Sequence, residues 1–213
     1  MNESVPLNRQ DIEGLLARIA AEVSGEHEFI LVGGAALACM DIRSSTTDID
    51  TVSKLPAEIV AAVKRVAAAE GLAESFLNAS ATSFAPMGMT AEGEREVIAT
   101  ANVRFTLPHP NWLFLMKLNA ARPGTDIEDM RRLWPLCSFS SSADVVKRFY
   151  EAYPNEPFDE FLGSFVDRII RASTAMDRAV AAASQRDRDP YVPVAGHVND
   201  GRPVKAHRRR RPT

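Results

Sequence analysis

Two aspartates one residue apart, Asp48 and Asp50, are the side chains whose type and spacing most readily support chemistry. In a β-strand both carboxylates would lie on one face while Ile49 turns to the other, towards a core. Two carboxylates on one face repel each other unless a cation lies between them. Oxygen pairs of this kind suit Mg²⁺, which commonly binds one or two carboxylates plus substrate phosphates. The pair therefore predicts a site for Mg²⁺, or for Mn²⁺ in its place.

A glycine pair upstream supplies a second element of such a site. Gly33 and Gly34 follow the apolar run 29–32 and precede a short apolar stretch that predicts a helix. Glycines let a backbone approach a phosphate closely, and a helix N-terminus favours negative charge. The pair is not part of a dinucleotide-binding G-x-G-x-x-G pattern, because no third glycine follows. A phosphate cradle beside a metal pair predicts transfer of a nucleotidyl or phosphoryl group.

Together these residues resemble a known motif. The segment resembles the first motif of the DNA polymerase β-type nucleotidyltransferase superfamily, and its matching residues are Gly33, Gly34, Arg43, Thr46, Asp48, Ile49 and Asp50. Within the superfamily the chain is similar to small bacterial proteins of the DUF6036 and AbiEii-like groups, which include toxin nucleotidyltransferases. The resemblance runs from about Phe29 to Arg171. It implies that the enzyme binds an NTP and that the glycines and Thr46 cradle its phosphates.

Two of these residues also allow structural interpretations. Thr46 could hydrogen-bond a phosphate or only shape the entry to the strand. Arg43 could contact a phosphate or pair with an aspartate. Asn78, further along the chain, could contact the substrate or cap a local turn.

A second group of candidates begins with Lys117, inside the apolar run 113–118. A structural lysine there would extend its ammonium group to water, whereas a functional one would bind a triphosphate. The spacing of Lys117, Arg122, Asp126 and Asp129 resembles the second conserved block of the family. The resemblance implies that the lysine contacts the nucleotide, that Arg122 helps to bind the triphosphate, and that an aspartate completes the site. Asp126 is the better candidate for that aspartate, with an acid/base or an orienting role.

Asp126 also has a local interpretation. Thr125 and Glu128 have the spacing of a capping box, and an acidic residue in the first helical turn interacts favourably with the helix dipole. Asp126 could therefore mark only a good helix start.

The chain departs from the superfamily in one respect. A third carboxylate commonly lies on a later strand, but Val97 to Leu107 contains none, so Glu94, Glu96 or Asp126 would have to serve. This departure supports an alternative function, a catalytically silent nucleotide-binding or protein-interaction module of the same fold.

Hydrophobic periodicity predicts the elements that position these residues. Helices are expected over 8–23, 33–42, 57–70, 110–121, 125–134, 141–153 and 158–183; strands over 29–32, 48–52, 76–79 and, with a bend, 96–107; and a loop over 81–94. The predicted fold is α/β (α+β), a small mixed sheet of the nucleotidyltransferase type with flanking helices and a helical C-terminal part. The predicted domains are a catalytic domain over 1–136, helices packed on it over 137–183, and a disordered basic tail over 184–213.

Charge is distributed unevenly between the body and this tail. From Ser184 to Thr213 eight basic residues face three acidic ones, so the tail carries +5 of a chain whose net charge is −3, and the body −8. The acidic body would repel nucleic acid, whereas the arginine cluster could bind RNA phosphates. Toxin relatives use tRNA as acceptor, which makes tRNA or another RNA an expected partner and raises the expectation of a cognate antitoxin protein.

The remaining composition indicates a cytoplasmic protein. No apolar run approaches the length needed to span a bilayer, and the N-terminus lacks the features of a secretory signal. Cys39 and Cys137 are far apart in the sequence, and no further Cys or His lies at metal-ligand spacing, so a zinc site is not expected. Both cysteines are predicted to be buried thiols in a reducing compartment.

Overall fold

The computed structural model describes residues 5–90 and 95–188 together with the short segments 191–194, 197–199, 202–204 and 207–210; side chains are described up to residue 176. The chain divides into two compact units, Met1–Ile170 and Arg171–Thr213. All of the predicted site residues lie in the first unit.

The first unit alternates helices and strands. Its elements in chain order are α1 (Arg9–Ala21), β1 (His27–Val32), α2 (Gly33–Cys39), β2 (Ile49–Thr51), α3 (Ala57–Glu70), β3 (Leu77–Asn78), a 3₁₀ turn (Ser80–Phe84), β4 (Arg95–Ala99), β5 (Val103–Leu107), α4 (Pro110–Ala120), α5 (Thr125–Leu133), a second 3₁₀ turn (Trp134–Leu136), α6 (Ser142–Ala152) and the start of α7 (Leu162–Arg188). This composition confirms the predicted mixed α/β fold.

The five strands form one mixed sheet in the order β3-β2-β1-β5-β4. Strand β1 is central, antiparallel to β2 and parallel to β5, while the outer pairs are β2 with β3 (parallel) and β4 with β5 (antiparallel). Parallel neighbours require crossover connections, and a helix lies between β2 and β3 along the chain, as expected for such a pair.

The two faces of the sheet differ in burial. Phe29, Leu31, Ile49 and Phe105 alternate onto one face and are almost completely buried in the core. Because successive strand residues point to opposite faces, Asp50 lies on the other face. There it is opposite Val32 and beside Asn78, and Thr106 is opposite Ile30 two strands across.

Several element boundaries differ from the predictions. Asp48 lies one residue before β2, so only Asp50 of the carboxylate pair is inside the strand. The predicted bent strand over 96–107 is a hairpin of β4 and β5, closed by hydrogen bonds between Thr100 and Val103. Helix α2 ends at Cys39, because Asp41 adopts the left-handed conformation (φ 60°). The predicted loop over 81–94 includes a 3₁₀ turn that begins at Ser80.

The second unit continues α7 and contains two short antiparallel strand pairs. Tyr191–Val194 pairs with His207–Arg210, and His197–Asn199 pairs with Arg202–Val204. The predicted disorder of 184–213 falls partly on residues outside the described ones, and it stays a prediction, as does the boundary at 136/137. Among the helices that the structure describes, none combines the length and apolar character that crossing a bilayer requires.

Candidate active site

The glycine pair at the end of β1 brings the backbone into contact with two predicted site residues. Gly33 has φ 63°, in the left-handed region that favours glycine, and a Cβ there would lie 2.8 Å from Oδ2 of Asp50. A Cβ on Gly34 would overlap the hydroxyl group of Thr46 and lie 3.2 Å from Nη1 of Arg43. The two glycines are therefore required for space: they let Asp50 and Thr46 pack directly against the turn.

The carboxylate pair differs from most carboxylates near it in having no ion-pair partner in the described part of the chain. Asp48 and Asp50 are both half-buried, and within the described residues neither forms an ion pair. Asp48 accepts a hydrogen bond from Oγ1 of Thr46 at 3.3 Å. Burial, together with the charge of Asp48, raises the pKa of Asp50. The rise means that the two negative charges are incompletely compensated at this position.

Two residues on and after β3 contact Asp50. Asn78 is its neighbour across the β2–β3 pair, and the Ser80 hydroxyl shares its one proton between Oδ1 of Asn78, its nearer acceptor, and Oδ1 of Asp50 at 3.4 Å. Oδ1 of Asn78 accepts the Ser80 backbone N–H at 2.9 Å, so Asn78 also caps the turn, as its local interpretation predicted. The sequence analysis missed Ser80; its only signal is the Asn-x-Ser spacing after a short strand, which is typical of an Asx turn.

The second group of candidates, Lys117, Arg122, Asp126 and Asp129, forms a continuous set of ion pairs that also includes Arg43. Nζ of Lys117 lies 2.8 Å from Oδ1 of Asp126 and 2.9 Å from Oδ2 of Asp129. Asp126 also accepts from Nε of Arg122 at 2.8 Å, and Asp129 from Nη2 of Arg43 at 2.7 Å. Of the two alternatives for Arg43, the structure thus shows pairing with an aspartate, and it connects the strand-entry segment to α5.

Asp126 has a tertiary role that its local sequence did not reveal. Its side chain is completely buried, and its carboxylate also accepts the Arg122 backbone N–H at 3.0 Å. Burial alone would raise its pKa, but hydrogen bonds from Arg122 and Lys117 outweigh that effect and lower the pKa to about 2. A carboxylate held this firmly in its ionised form is a poor proton donor or acceptor near neutral pH, so the structure does not support the predicted acid/base role.

The capping-box interpretation of this helix start is wrong. Helix α5 begins at Thr125, its N-cap is Gly124, and no side chain caps the helix there. Thr125 would have to be the N-cap residue for the predicted pattern to form. The side chain of Asp126 instead faces back to Arg122 and Lys117.

A cleft of about 1040 Å³ brings part of both groups together. Its lining includes four of the nine predicted site residues: Gly33, Asp50, Lys117 and Arg122. The other five, namely Gly34, Arg43, Thr46, Asp48 and Asp126, do not line it. Residues from the 3₁₀ turn and from the end of α6, including Phe84, Met87 and Tyr153, complete the lining, and the sequence analysis did not identify them.

Of the three candidates for a third carboxylate, the two that the structure describes, Glu96 and Asp126, are not placed beside Asp50 as free groups. Glu94 lies outside the described residues. Glu96 is on the edge strand β4, separated from β2 by two strands, and its carboxylate lies 3.3 Å from Nε of Arg104. Asp126 is occupied by Lys117 and Arg122. On β5 the corresponding face carries Thr106, and in the described parts of the chain no three acidic, His or Cys residues form a metal-binding group.

Comparison with protein families assigns this arrangement to a known group. The family described as "Nucleotidyltransferase of unknown function (DUF6036)" matches residues 12–153, about two thirds of the chain. The matched region contains every residue that lines the cleft except Pro154, Asn155 and Glu156. No curated protein and no solved structure matches the chain.

Proposed function

The chain belongs to the DUF6036 family of nucleotidyltransferases, and from this premise we propose that it transfers a nucleoside monophosphate from an NTP to an acceptor hydroxyl group with the help of a divalent cation. The observation that carries the proposal is the cleft in which Asp50 lies with Lys117 and Arg122. It combines a carboxylate that forms no ion pair among the described residues with two cations that can bind phosphates.

The carboxylate pair fits a divalent cation. Asp48 and Asp50 supply hard oxygen ligands of the kind that Mg²⁺ prefers, and a cation between them would offset the burial and the Asp48 charge that raise the pKa of Asp50. Mg²⁺ bound to the pair would polarise the α-phosphate and neutralise charge that develops during transfer. Thr46 and Ser80 would orient the two carboxylates through the hydrogen bonds that they donate.

The two cleft cations retain donors for a triphosphate. Lys117 has three N–H groups, and two point to Asp126 and Asp129. Arg122 uses its Nε and one Nη2 proton on Asp126, which leaves three of its five N–H donors. Its side chain is 70% exposed, so these donors are accessible. One ammonium donor and one guanidinium edge are therefore available to phosphate oxygens.

Asp126 and Asp129 act in this proposal as positioning residues. A long lysine side chain normally loses rotamer freedom when it binds a ligand, at a cost of up to about 2 kcal/mol. Two aspartates already fix Nζ of Lys117 at the cleft wall, and Arg43 in turn fixes Asp129. The triphosphate would then meet a lysine whose position is set in advance.

The acceptor that we propose is tRNA or another RNA, with the protein acting as a toxin that a partner antitoxin protein restrains. This part rests on the resemblance to toxin nucleotidyltransferases and on the composition of residues 184–213, which carry a charge of +5 in an otherwise acidic chain. Clustered arginines bind nucleic-acid phosphates and make the affinity depend on salt.

The test is incubation of the purified protein with each α-labelled NTP, Mg²⁺ and bulk bacterial tRNA. We expect label on RNA, and loss of that label in the Asp50→Ala variant and after chelation of the metal. Glu26→Gln, an exposed carboxylate without an ion pair among the described residues, is the control that should retain activity. Label on protein would replace the RNA acceptor by a protein one, whereas NTP binding without transfer to any acceptor would overturn the catalytic proposal.

That last outcome would favour a second candidate, a silent nucleotide-binding or interaction module. The observation that supports it is the lack of a third acidic group near Asp48 and Asp50 in the described residues. Such a module should bind NTP with unchanged affinity when Asp48 is replaced by Asn, and it should return every nucleotide intact.

A further inference from the structure

The cleft contains an apolar wall, which we define as Phe84, Met87, Leu113, Met116 and Tyr153. The proposed phosphate chemistry uses none of these residues. Leu113 and Tyr153 are buried, but Phe84 and Met87 are 62% and 64% exposed. Large apolar side chains that stay exposed inside a concave site, beside a few polar groups, are typical of a ligand-binding surface.

The exposed part of the wall is held in place. The phenol of Tyr153 donates to the Phe84 carbonyl oxygen at 3.1 Å, and the Met87 backbone N–H donates to the Ala152 carbonyl oxygen at 2.8 Å. The two hydrogen bonds connect the 3₁₀ turn and the segment that follows it to the end of α6. The Phe84 and Met87 backbones are thereby fixed before any ligand arrives, which reduces the entropy lost on binding.

Two amide side chains at the same cleft remain available. Asn119 and Asn155 line the cleft, and in the described part of the chain neither side chain forms a hydrogen bond. Each amide offers donors and an acceptor together. A flat ring whose edge carries both donors and acceptors would satisfy these amides while its face contacts the apolar wall.

We infer that the apolar wall binds the nucleobase of the NTP, with Phe84 and Met87 against the face of the base. The inference rests on the proposed function, since Lys117 and Arg122 would hold the triphosphate in the same cleft. The cleft volume of about 1040 Å³ lies at the upper end of the range for small-molecule sites, so it can contain a whole nucleotide. Contact between a base and an aromatic ring does not depend on which base is bound.

The test compares two ligands that share only the phosphates. The affinities of the full-length protein for non-reacting α,β-methylene NTP analogues and for inorganic tripolyphosphate are measured by calorimetry in the presence of Mg²⁺. In Phe84→Ala we expect roughly tenfold weaker binding of the nucleotide analogues, in line with the contribution of one stacked base, and unchanged binding of tripolyphosphate. Met87→Ala should show the same pattern with a smaller loss. Lys117→Met should weaken both ligands.

Phe161→Ala is the matched control, because Phe161 is 67% exposed but does not line the cleft. It should bind both ligands as the unmodified protein does. Equal affinity of the unmodified protein for analogues and tripolyphosphate, or an unchanged analogue affinity in both Phe84→Ala and Met87→Ala, would overturn the inference and leave the proposed function standing. Failure of the unmodified protein to bind any of these ligands would overturn both.

Discussion

Two pairs of aspartates near the cleft differ in what neutralises their charge. Asp126 and Asp129 have side-chain exposures of 0% and 6%, and each contacts Lys117 and one arginine. Asp48 and Asp50 are half-buried and form no ion pair among the described residues, and Lys117 acts on Asp50 only as a more distant charge. All four carboxylates are at least half-buried, and the two pairs differ most in their partners.

The pKa values follow the partners. Burial would raise the pKa of Asp126, yet the hydrogen bonds from Arg122 and Lys117 lower it to about 2. For Asp50, burial and the charge of Asp48 raise the pKa, and the hydrogen bonds from Asn78 and Ser80 only reduce that rise. The ionised form of Asp126 is thus held by cations of the same chain, whereas the ionised form of Asp50 is less favourable than in a free aspartate.

The largest expected effect is that of Asp50→Asn, for which the transfer rate and the free energy of unfolding should change in different ways. Asp50→Asn should lower nucleotidyl transfer by roughly 10³-fold, because a catalytic metal ion supplies several kcal/mol and each 1.4 kcal/mol is tenfold. The same change removes a poorly compensated charge, so the free energy of unfolding should stay equal or rise. Transfer rates and chemical denaturation measure the two effects. A clear loss of stability would place Asp50 with the structural pair.

Asp126→Asn should instead lower the stability of the fold. It leaves the ammonium of Lys117, whose side chain is 8% exposed, with only Asp129 as partner, and loss of one partner of a buried pair costs about 3 kcal/mol. Chemical denaturation measures the loss. Glu128→Gln on the same helix removes only partly exposed pairs with Arg131 and Arg132, and it should change stability by less than about 1 kcal/mol. Equal effects of the two substitutions would contradict the assignment.

The free energy of unfolding at low pH should depend on the ion pairs of Asp126 with Lys117 and Arg122. Its pKa is lowered from the ordinary value to about 2, so its stabilisation is fully present above about pH 4 and is lost as the pH falls towards 2. The loss should be about 2 kcal/mol, since each pKa unit corresponds to 1.36 kcal/mol. Carbon-13 NMR titration of the Asp126 carboxyl group measures the pKa directly. A midpoint near 4 would show that Lys117 and Arg122 do not hold the carboxylate in solution.

The sequence predicted the local parts of this comparison better than the tertiary ones. Helix α3 occupies the predicted residues 57–70, and α6 with its N-cap Ser141 lies within the predicted helix over 141–153, because apolar periodicity is a local signal. Asp50 faces away from the core as strand alternation requires. The family resemblance supplied Lys117 and Arg122, which the cleft includes.

The partners of Asp126 and Asp129 could not be predicted in the same way. Arg43 and Asp129 are 86 positions apart, and no local pattern specifies a contact over that distance. The Thr125–Glu128 spacing gave a competing local signal, which the buried ion pairs override. Phe84 and Tyr153 are 69 positions apart and meet in the cleft wall because α6 packs there. The identity of a residue in a predicted loop, such as Phe84, does not predict such a contact.

Alanine substitutions at two glycines test whether the close packing of Thr46 against Gly34 contributes to stability. Gly34→Ala would place a Cβ against Thr46, which must shift together with its hydrogen bond to Asp48. Such crowding typically costs about 1–3 kcal/mol. Gly14→Ala, in the exposed middle of α1 with nothing near the added Cβ, should instead stabilise the protein by about 1 kcal/mol. Melting temperatures of the two variants should therefore shift in opposite directions.

The smallest expected effect is that of replacing Ser80, which tests whether its hydroxyl group orients the Asp50 carboxylate without changing the charge there. Its hydrogen bond to Oδ1 of Asp50 is long, 3.4 Å, so Ser80→Ala should lower transfer only about fivefold, corresponding to a hydrogen bond of about 1 kcal/mol. Ser80→Thr retains the hydroxyl group and should restore most of the rate. Mn²⁺ binding, followed by electron paramagnetic resonance, should weaken by a similar factor in the alanine variant alone. A rate loss without any change in Mn²⁺ binding would mean that Ser80 contacts the substrate and does not orient the carboxylate.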